Sequence, residues 1–557
     1  MTKSLLLLTT LGAVPILTAG AARAMDCSVS AIEALALPGV TISQVAPAPQ
    51  GAAACLVSGQ LVTTGGTAPD GSAGFQIRLP DSWNGRFAML GNGGLAGKVA
   101  VSANPVDVAY ADSTGYVTAM TDLGHSADSI LDASFALNPD GTPNEAGLAD
   151  YYYRASHAVT RLAKDMARAV YGKAPDHAYL TGCSTGGRMA QVAVTRYPDD
   201  FDGVISGAAF SDISSMLKIQ HFQINQLASP DAQLLPGKLP AINAAILANC
   251  DATDGVTDGL IQNPAACSFR PESLICTGAE TDSCLTPAQA GALRAYFTAV
   301  HTEDGQLVYP GYAPVEMTGG FTLFQGGKEK AGDVTAAEPW GNDGYAPAPL
   351  EWAFSDHIIQ DMVKRDPDYD VRKLGIGADG TIPTAVVQDF VAATEAGNGS
   401  DLGRTLSYLK GGGKMILYHG WGDHALSPFR TVRFVDDLAR RDGGYGALDA
   451  SARLFMVPGM SHCGGGSGPN SFNTLAALEA WVEQGIAPAR IEAVKRDADD
   501  KVTRSMPLCV YPAEARYSGT GDVMDTANWS CTDNSDGLKM GAIGIAAGMR
   551  MAGEPTQ

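Results

Sequence analysis

The pentapeptide Gly-Cys-Ser-Thr-Gly at positions 182–186 restricts the fold more than any other part of the sequence. Residues 176–181 before it are typical of a short strand, and residues 188–194 after it are typical of the start of a helix. Glycines are needed on both sides of the serine, because a sharp strand-to-helix turn leaves no room for bulky side chains. The pattern therefore predicts a nucleophile elbow, with the Ser184 hydroxyl presented at the edge of a sheet.

A cysteine beside a histidine strengthens this prediction, since a Gly-x-Ser-x-Gly match alone is weak in a chain with 65 glycines. Cys463 directly follows His462. A disulfide places its two Cα atoms roughly 4.4–6.8 Å apart. A bridge between Cys183 and Cys463 would therefore hold the neighbour of Ser184 next to the neighbour of His462. The alternative is that Cys183 is a free, buried thiol.

The first 24 residues have the pattern of a secretory signal peptide. Lys3 supplies a positive charge, residues 5–17 are largely apolar, and Ala-Arg-Ala at 22–24 resembles a cleavage site. The mature chain is expected to begin near Met25, secreted into the medium or the periplasm. Beyond this segment, no run of the sequence approaches the roughly 18 consecutive apolar residues that a membrane span requires.

The formal net charge of −21 at pH 7 argues against two classes of partner. Nucleic acids and anionic membrane surfaces are both negative and attract basic proteins. We therefore expect neither as a partner, and no motif indicates a protein partner. A small molecule is the expected ligand of the chain.

The chain contains ten cysteines, and an exported protein is expected to pair them. A count alone does not determine which cysteines are bonded. Short separations in the sequence favour three bridges, and the elbow bridge leaves two further cysteines for each other. The expected pairs are Cys183–Cys463, Cys250–Cys267, Cys276–Cys284, Cys509–Cys531 and Cys27–Cys55.

Strand-like and helix-like segments alternate in the first part of the chain. Residues 58–90 consist of short apolar runs separated by turn residues, and residues 116–122 resemble a further strand. An amphipathic pattern over 149–170 predicts a helix directly before the elbow strand. Such alternation predicts an α/β protein with a mostly parallel sheet.

This alternation is interrupted in the middle of the chain and resumes later. Strand signals return at 414–419 and 452–457, and a final helix is expected at 474–484. We interpret the interruption as a large lid domain inserted into an α/β-hydrolase fold. The predicted organisation is a signal peptide at 1–24, a first catalytic part at 25–210, a lid at 211–405 and a second catalytic part at 406–557.

A carboxylate and a histidine follow the two later strands, in the order that α/β-hydrolases use for a serine triad. Asp423 comes just past the first of these strands, and His462 comes just past the second. In a triad the histidine takes the serine proton and the carboxylate orients the histidine. We therefore predict Ser184, Asp423 and His462 as the catalytic residues. His424 is a rival base, but His462 comes last in the order and precedes a cysteine.

Backbone N–H groups are expected to hold the oxyanion of such a reaction. One would come from Thr185, directly after the nucleophile. The other would come from Gly93 or Gly94, in the turn after the strand-like residues 86–90. An ordinary glycine-rich turn is the alternative. The turn lacks the Gly-x-Gly-x-x-Gly spacing of a dinucleotide site, so no redox cofactor is expected.

An acidic loop, Asp-Ala-Thr-Asp-Gly-Val-Thr-Asp-Gly-Leu at 251–260, lies in the predicted lid. Three carboxylates over eight residues, with glycines that allow tight turns, supply the oxygen ligands that calcium prefers. Two backbone carbonyls would complete the set. The expected Ca²⁺ ligands are Asp251, Asp254, Val256, Asp258 and Leu260. We expect a structural ion remote from the chemistry, and a solvated acidic loop is the alternative.

Four segments of the chain carry a resemblance to a known family. They are the elbow with the following Gly-Arg, the tripeptide Ser-His-Cys at 461–463, the segment Thr121–His125, and the acidic loop that begins at Cys250. Over essentially its whole mature length the chain resembles the tannase/feruloyl esterase family, which includes mono(2-hydroxyethyl) terephthalate hydrolases. The resemblance implies the same triad and the same calcium ligands in a lid, and it supports the five disulfides.

The resemblance also implies a lid-covered pocket for esters of aromatic acids such as gallate, ferulate or terephthalate. Members that cleave terephthalate monoesters recognise the free carboxylate through a lid arginine, for which we identify no counterpart in this sequence. The lid segment 350–357 offers aromatic side chains that would either line the pocket or form the core of the lid. It also contains Glu351 and Asp356, which would oppose an anion.

The expected activity is that of a secreted serine carboxylesterase of the feruloyl esterase or tannase type, acting through an acyl-enzyme. Three alternatives stay open. The chain could be a mono(2-hydroxyethyl) terephthalate hydrolase, a hydrolase fold that only binds ligands, or a serine peptidase. The complete Ser-Asp-His set argues against the binding module.

Overall fold

The computed structural model describes residues 26–317, 319–340 and 348–533. The predicted signal peptide, residues 1–24, lies outside the described residues. No helix in the described part of the chain is both long enough and apolar enough to cross a membrane.

The elements of the described residues follow one another along the chain as strands and helices. The strands are β1 (Val40–Pro47), β2 (Ala54–Thr63), β3 (Gly71–Pro80), β4 (Arg86–Leu90), β5 (Val117–Thr121), β6 (His177–Cys183), β7 (Gly203–Gly207), β8 (Val300–Thr302), β9 (Leu307–Tyr309), β10 (Thr381–Ile382), β11 (Lys414–Gly420), β12 (Ala452–Val457), β13 (Arg490–Arg496), β14 (Val502–Cys509), β15 (Glu514–Tyr517) and β16 (Trp529–Thr532). The α-helices are α1 (Val29–Glu33), α2 (Pro105–Thr114), α3 (Glu145–Ala149), α4 (Ala155–Tyr171), α5 (Thr185–Arg196), α6 (Ser215–Gln226), α7 (Leu239–Cys250), α8 (Pro287–Phe297), α9 (Gly319–Phe321), α10 (Leu350–His357), α11 (Thr384–Thr394), α12 (Leu402–Lys410), α13 (Pro428–Asp442), α14 (Tyr445–Leu448) and α15 (Thr474–Gln484).

A large sheet forms the centre of the described structure, with the strand order β1-β2-β3-β5-β4-β6-β7-β11-β12. The first three strands form an antiparallel meander, and β3 pairs antiparallel with β5. From β5 to β12 all neighbours are parallel. The prediction of a mostly parallel α/β sheet is therefore confirmed, and the arrangement is that of the α/β-hydrolase fold. The meander begins earlier than predicted, because β1 precedes residue 58.

The parallel strands are buried along almost their whole length, as expected for strands covered on both faces. One core contains Met166 of α4, Met189 of α5 and Leu438 of α13. A second core contains Leu478 and Trp481 of α15. Because both faces are covered, the predicted catalytic side chains lie beyond the C-terminal ends of the parallel strands.

Two of the predicted helices differ in how well their bounds were anticipated. The structure has α15 at the residues expected, with the Asn473 side chain accepting a hydrogen bond from the Ala476 N–H at 2.8 Å. The helix predicted over 149–170 is instead α4, preceded by a π-helical segment, Asp150–Arg154. The first residues of the predicted helix are therefore wound more widely than an α-helix.

The segment between β7 and β11 contributes no strand to the central sheet within the described residues. It contains helices α6 to α12 and a small sheet of order β10-β8-β9. We refer to residues 211–405 as the lid, with the bounds expected from the sequence. The two strands that flank it pair directly with each other, from Lys414 opposite Gly203 to Tyr418 opposite Gly207.

Five disulfides account for all ten cysteines, and each of the expected pairings is confirmed. Their Cα–Cα distances lie between 5.0 and 5.8 Å. The bonded pairs are Cys27–Cys55, Cys183–Cys463, Cys250–Cys267, Cys276–Cys284 and Cys509–Cys531.

Candidate active site

Ser184 lies in a sharp turn between β6 and α5. Its backbone has φ 61° and ψ −121°, a conformation that non-glycine residues rarely adopt. A Cβ at Gly182 would come within 2.5 Å of the Gly186 carbonyl group, and a Cβ at Gly186 within 2.8 Å of the Ser102 oxygen. The flanking glycines are therefore required by close backbone contacts, and the predicted elbow is present.

The Cys183–Cys463 disulfide joins this elbow to the loop after β12. The two Cα atoms lie 5.8 Å apart, although the cysteines are 280 residues apart in the sequence. Cys183 is fully buried. Ser184 and His462 are the immediate neighbours of the bonded cysteines, so the bridge ties the loop of the predicted base to the elbow of the predicted nucleophile.

Asp423 and His462 are in direct contact. His462 Nδ1 lies 2.7 Å from Asp423 Oδ2, and Asp423 Oδ1 accepts hydrogen bonds from the N–H groups of Ala425 and Leu426. Burial acts to raise the pKa of Asp423, but the charge of His462 and hydrogen bonds from His419 and His462 outweigh it. The pKa of this carboxyl is held well below its usual range, so it is ionised at neutral pH. With Nδ1 donating to Asp423, the Nε2 atom of His462 is left to act as a base.

His419 is a second histidine on the same carboxylate, and the sequence analysis missed it. Its Nε2 lies 3.0 Å from Asp423 Oδ2, and its Nδ1 lies 2.8 Å from the Thr431 hydroxyl oxygen. The signal that could have identified it is a histidine near the end of a strand, four residues before the predicted acid. The rival His424 contacts a different group, the Tyr296 hydroxyl of α8, at 2.8 Å. Burial lowers the pKa of His424 to about 4, so it is neutral at pH 7.

The glycine-rich turn after β4 meets the elbow at Thr185. The Thr185 hydroxyl donates a hydrogen bond to the Gly94 carbonyl at 2.6 Å. The Gly93 N–H donates to Asn92 Oδ1 at 2.8 Å, whereas the Gly94 N–H has no acceptor among the described residues. Thr185 is the first residue of α5, where helix geometry leaves the backbone N–H without an intrahelical acceptor. Of the two predicted glycines, Gly94 is the one with an available N–H.

The chain is similar to known proteins over most of its length. The sequence profile described as "Tannase and feruloyl esterase" matches residues 55–532, which is most of the chain. The chain belongs to the tannase and feruloyl esterase family. This membership makes the protein a carboxylic ester hydrolase.

Two curated relatives and one solved structure are similar to this esterase over most of its length. An uncharacterized esterase of Xanthomonas campestris pv. campestris is 33% identical, with 96% of each chain covered. The mono(2-hydroxyethyl) terephthalate hydrolase of Piscinibacter sakaiensis is also 33% identical, with 87% of this chain and 86% of that protein covered. The crystal structure of feruloyl esterase B from Aspergillus oryzae superposes with a TM-score of 0.74 at 25% identity, covering 89% of this chain and 97% of the other.

Aromatic side chains of the lid and of the residue just before it lie near the esterase's elbow and base. The Phe324 ring contacts the His462 ring edge to face, with centroids 5.6 Å apart. Phe210, whose N–H donates to the Ser184 carbonyl at 3.0 Å, packs against Phe354 of α10. Apolar surface of Phe324 therefore lies on the base, and a pair of phenylalanines lies beside the elbow backbone.

The two acids of the lid helix α10 are both buried. Glu351 is buried, and burial raises its pKa well above the ordinary value. Asp356 is also buried, and burial together with the charge of Glu338 raises its pKa. Both shifts favour the uncharged form of the carboxyl, and the expectation that these acids would oppose an anion stays a prediction.

The acidic loop 251–260 forms a compact turn. Both oxygens of the Asp251 carboxylate accept the Gly259 N–H, and Arg504 lies 3.0 Å from Asp258 Oδ2. Asp254 Oδ2 is buried without a hydrogen-bond partner among the described residues. Burial, followed by the charges of Asp258 and Asp251, raises the pKa of Asp254 to about 7.

The chemistry of this loop fits a calcium ion in donor type, because a buried carboxylate oxygen without a partner is one that a cation would satisfy. Within the described residues, no group of three or more His, Cys, Asp or Glu is arranged to hold a metal ion as the side chains now stand. The expectation of a structural ion remote from the chemistry stays a prediction. A Cβ at Gly459 would lie 2.5 Å from Leu260 Cδ2, so the loop touches the turn that leads to His462.

Proposed function

We propose that the protein is a serine esterase that hydrolyses esters of aromatic acids through an acyl-enzyme, with Ser184, Asp423 and His462 as its triad. The contact of 2.7 Å between His462 Nδ1 and Asp423 Oδ2, in a loop bonded to the elbow by a disulfide, carries this proposal. Family membership and the feruloyl esterase and terephthalate monoester hydrolase among the similar proteins support it.

In the first half of the reaction, Ser184 Oγ attacks the ester carbonyl carbon while His462 Nε2 accepts the hydroxyl proton. Asp423 keeps the proton of His462 on Nδ1 and stabilises the imidazolium that forms. The tetrahedral intermediate then collapses, and the bond from the carbonyl carbon to the alcohol oxygen breaks. That oxygen takes the proton from His462 Nε2, and the alcohol leaves.

In the second half, water attacks the acyl-enzyme carbonyl carbon and gives a proton to His462. Collapse of this second intermediate breaks the bond to Ser184 Oγ, which recovers the proton, and releases the aromatic acid. In both halves the backbone N–H groups of Thr185 and Gly94 donate to the oxyanion. Gly94 is preferred to Gly93 because the Gly93 N–H already donates to Asn92.

Aromatic side chains near the base and the elbow support an aromatic acid as the acyl part of the substrate. The Phe324 ring lies on the His462 ring, and Phe210, whose N–H donates to the Ser184 carbonyl, packs against Phe354. Aromatic acyl groups pack well on such surfaces. Hydroxycinnamic and gallic esters are the first candidates.

Terephthalate monoesters are the second candidates. The relative from Piscinibacter sakaiensis that carries this name is 33% identical to the chain. Burial raises the pKa of Glu351 well above its ordinary value, which weakens the repulsion that this acid would exert on the free carboxylate of such a substrate.

We further propose that the acidic loop binds a calcium ion. Its ligands would be the carboxylates of Asp251, Asp254 and Asp258 with the carbonyls of Val256 and Leu260. The unpartnered Asp254 oxygen supports this assignment. An ion here has no part in bond breaking; it would hold the loop against the turn that carries His462.

We also propose that the protein acts outside the cytoplasm, in the periplasm or the medium. Five disulfides favour an oxidising compartment. The signal-peptide pattern of residues 1–24 agrees with this assignment. Fractionation of a cell that expresses the full chain tests it.

The deciding experiment measures kcat/KM for methyl ferulate, methyl gallate and mono(2-hydroxyethyl) terephthalate, with Ser184→Ala and Asp423→Asn as controls. We expect turnover of at least one ester, no turnover by Ser184→Ala, and a loss of about 10⁴-fold in kcat for Asp423→Asn. An organophosphonate should label wild-type Ser184. Absence of labelling and of turnover would favour a binding module, and faster cleavage of peptide amides would favour a peptidase.

A further inference from the structure

Asp423 receives hydrogen bonds from two histidines on the same oxygen. His462 Nδ1 and His419 Nε2 lie 2.7 and 3.0 Å from Asp423 Oδ2. The Asp423 side chain is completely buried, and the His419 side chain is 1% exposed. Catalysis by a triad uses one of these histidines, so the other is not explained by the reaction itself.

We propose that His419 is a positioning residue for ester hydrolysis, which fixes the plane of the Asp423 carboxylate and shares its charge with His462. This inference rests on the proposed function, because it assigns a task within that triad. The hydrogen bonds of His419 within the described residues run to Asp423 and Thr431, so it acts on the base through Asp423.

The hydrogen-bond partners specify how His419 is protonated. A hydroxyl donating from Thr431 to Nδ1 leaves the imidazole proton on Nε2, where it is donated to Asp423. A neutral His419 satisfies both contacts in this way. Thr431 belongs to α13, which packs against β11, so the orientation of His419 is set by the sheet and its covering helix.

With this donor in place, both oxygens of the carboxylate are filled. Oδ1 accepts the N–H groups of Ala425 and Leu426, and Oδ2 accepts the two imidazoles. Four donors match the accepting capacity of a carboxylate. Asp423 therefore cannot rotate without breaking a hydrogen bond, and His462 is oriented by a fixed partner.

The charge argument depends on which other groups face Asp423. Glu351 of α10 and Tyr296 of α8 interact with it, and burial raises the pKa of both well above their ordinary values. His424 is adjacent, and burial lowers its pKa to about 4. Each of these shifts favours the uncharged form of its group. The negative charge of Asp423 is therefore divided between His462 and His419.

Removal of His419 should consequently have two effects. Asp423 loses a fixed orientation, which lowers kcat. The charge of Asp423 is then left to His462 alone and stabilises the His462 imidazolium more strongly. In a plot of kcat/KM against pH, the acidic limb therefore moves to higher pH. A merely structural role for His419 predicts no movement of that limb.

The test compares His419→Leu with His419→Gln, whose side-chain amide places a donor where Nε2 lies. Rates are measured from pH 5 to 9 on an ester that the wild type cleaves, per site titrated with an organophosphonate. His157→Leu is the matched control, because it removes another His–Asp contact of 2.7 Å, from α4 to Asp200. Thr431→Val removes the hydroxyl behind His419.

We expect His419→Leu to lower kcat by about 10-fold or more, with little change in KM, and to raise the pH of the acidic limb. His419→Gln should restore both quantities toward the wild type. Thr431→Val should move the acidic limb in the same direction as His419→Leu. The control His157→Leu should not move it. If His419→Leu folds too poorly to be titrated, Thr431→Val and His419→Gln decide the question.

The inference is overturned if the limb stays in place in His419→Leu and Thr431→Val, whether or not kcat falls. It is also overturned if His419→Gln behaves as Leu does. Failure of the proposed function looks different, since the wild type itself would then cleave no ester and would not react with the phosphonate.

Discussion

The Cα atoms of Cys183 and Cys463 lie 5.8 Å apart across a disulfide that spans 280 residues of sequence. One cysteine precedes Ser184 and the other follows His462. The bridge therefore joins the elbow to the loop of the base, and its contribution should be visible in activity as well as in stability.

The double variant Cys183→Ala/Cys463→Ala tests this contribution. We expect a loss of about 2–5 kcal/mol in the free energy of unfolding, since the bridge closes a very long loop. We also expect kcat per titrated site to fall about 10-fold or more, because the two loops are no longer held together. Urea unfolding and ester hydrolysis measure the two quantities.

The matched control is Cys276→Ala/Cys284→Ala, which opens a bridge that spans eight residues. A short loop loses less entropy on closure, so we expect a smaller loss of stability and an unchanged kcat. Equal effects of the two double variants on kcat would show that the elbow bridge has no special role in catalysis.

A second prediction concerns the contact between Thr185 and Gly94. Thr185→Val keeps the shape of the buried side chain but removes the hydroxyl that donates to the Gly94 carbonyl. The turn that presents the Gly94 N–H loses this support, so kcat should fall about 10-fold while KM changes little. Thr185→Ser keeps the donor and should remain close to the wild type. If Val and Ser variants have the same kcat, the hydroxyl does not position the turn.

A third prediction concerns the calcium loop. Added Ca²⁺ should raise the melting temperature and EGTA should lower it, because an ion that binds the folded state alone stabilises it. Asp254→Asn removes the carboxylate whose oxygen has no partner and should abolish the Ca²⁺-dependent shift. Asp282→Asn changes an exposed lid aspartate and should keep it. Equal melting temperatures of the wild type in Ca²⁺ and EGTA would argue for a solvated loop.

A fourth prediction concerns Lys218, which is fully buried in α6 and donates to the Ala295 carbonyl. Burial lowers its pKa from 10.5 to about 7. Below pH 7 both the folded and the unfolded states carry the proton, and between pH 7 and 10.5 the unfolded state alone carries it. The free energy of unfolding contributed by this group therefore rises with pH across that window, by roughly 5 kcal/mol at most.

Lys218→Met should remove this rise, which is seen as a shallower increase of unfolding free energy between pH 7 and 10 than in the wild type. Lys410→Met changes an exposed lysine of α12 and serves as the control. An identical pH dependence of the wild type and Lys218→Met would mean that Lys218 is not buried with a perturbed proton affinity.

The parts of the site that could be predicted from the sequence are those with a local signature. The elbow depends on glycines within two positions of Ser184, and Asp423 and His462 follow strands whose apolar runs are easily recognised. The start of α15 was predicted from Asn473 as its N-cap, and the structure ends the helix at Gly485, with φ 71°. The disulfides were predicted in part by short separations and in part by elimination.

What could not be predicted depends on how distant segments meet. The His419 contact with Asp423 depends on the turn after β11, because four residues outside a helix have no fixed spatial relationship. The choice between Gly93 and Gly94 depends on which N–H the Asn92 side chain takes. The contact of Leu260 with Gly459 joins segments from the lid and the second catalytic part, and no sequence pattern links them.

The direct pairing of β7 with β11 has a consequence for how such proteins diverge. The chain leaves the sheet after Gly207 and returns at Lys414 to an adjacent strand, so the points of departure and return are one strand spacing apart. An excursion of any length can be accommodated there without a change of strand neighbours. A different inserted segment, and with it a different selectivity for the acid, can therefore be accepted at this point while the catalytic residues keep their positions.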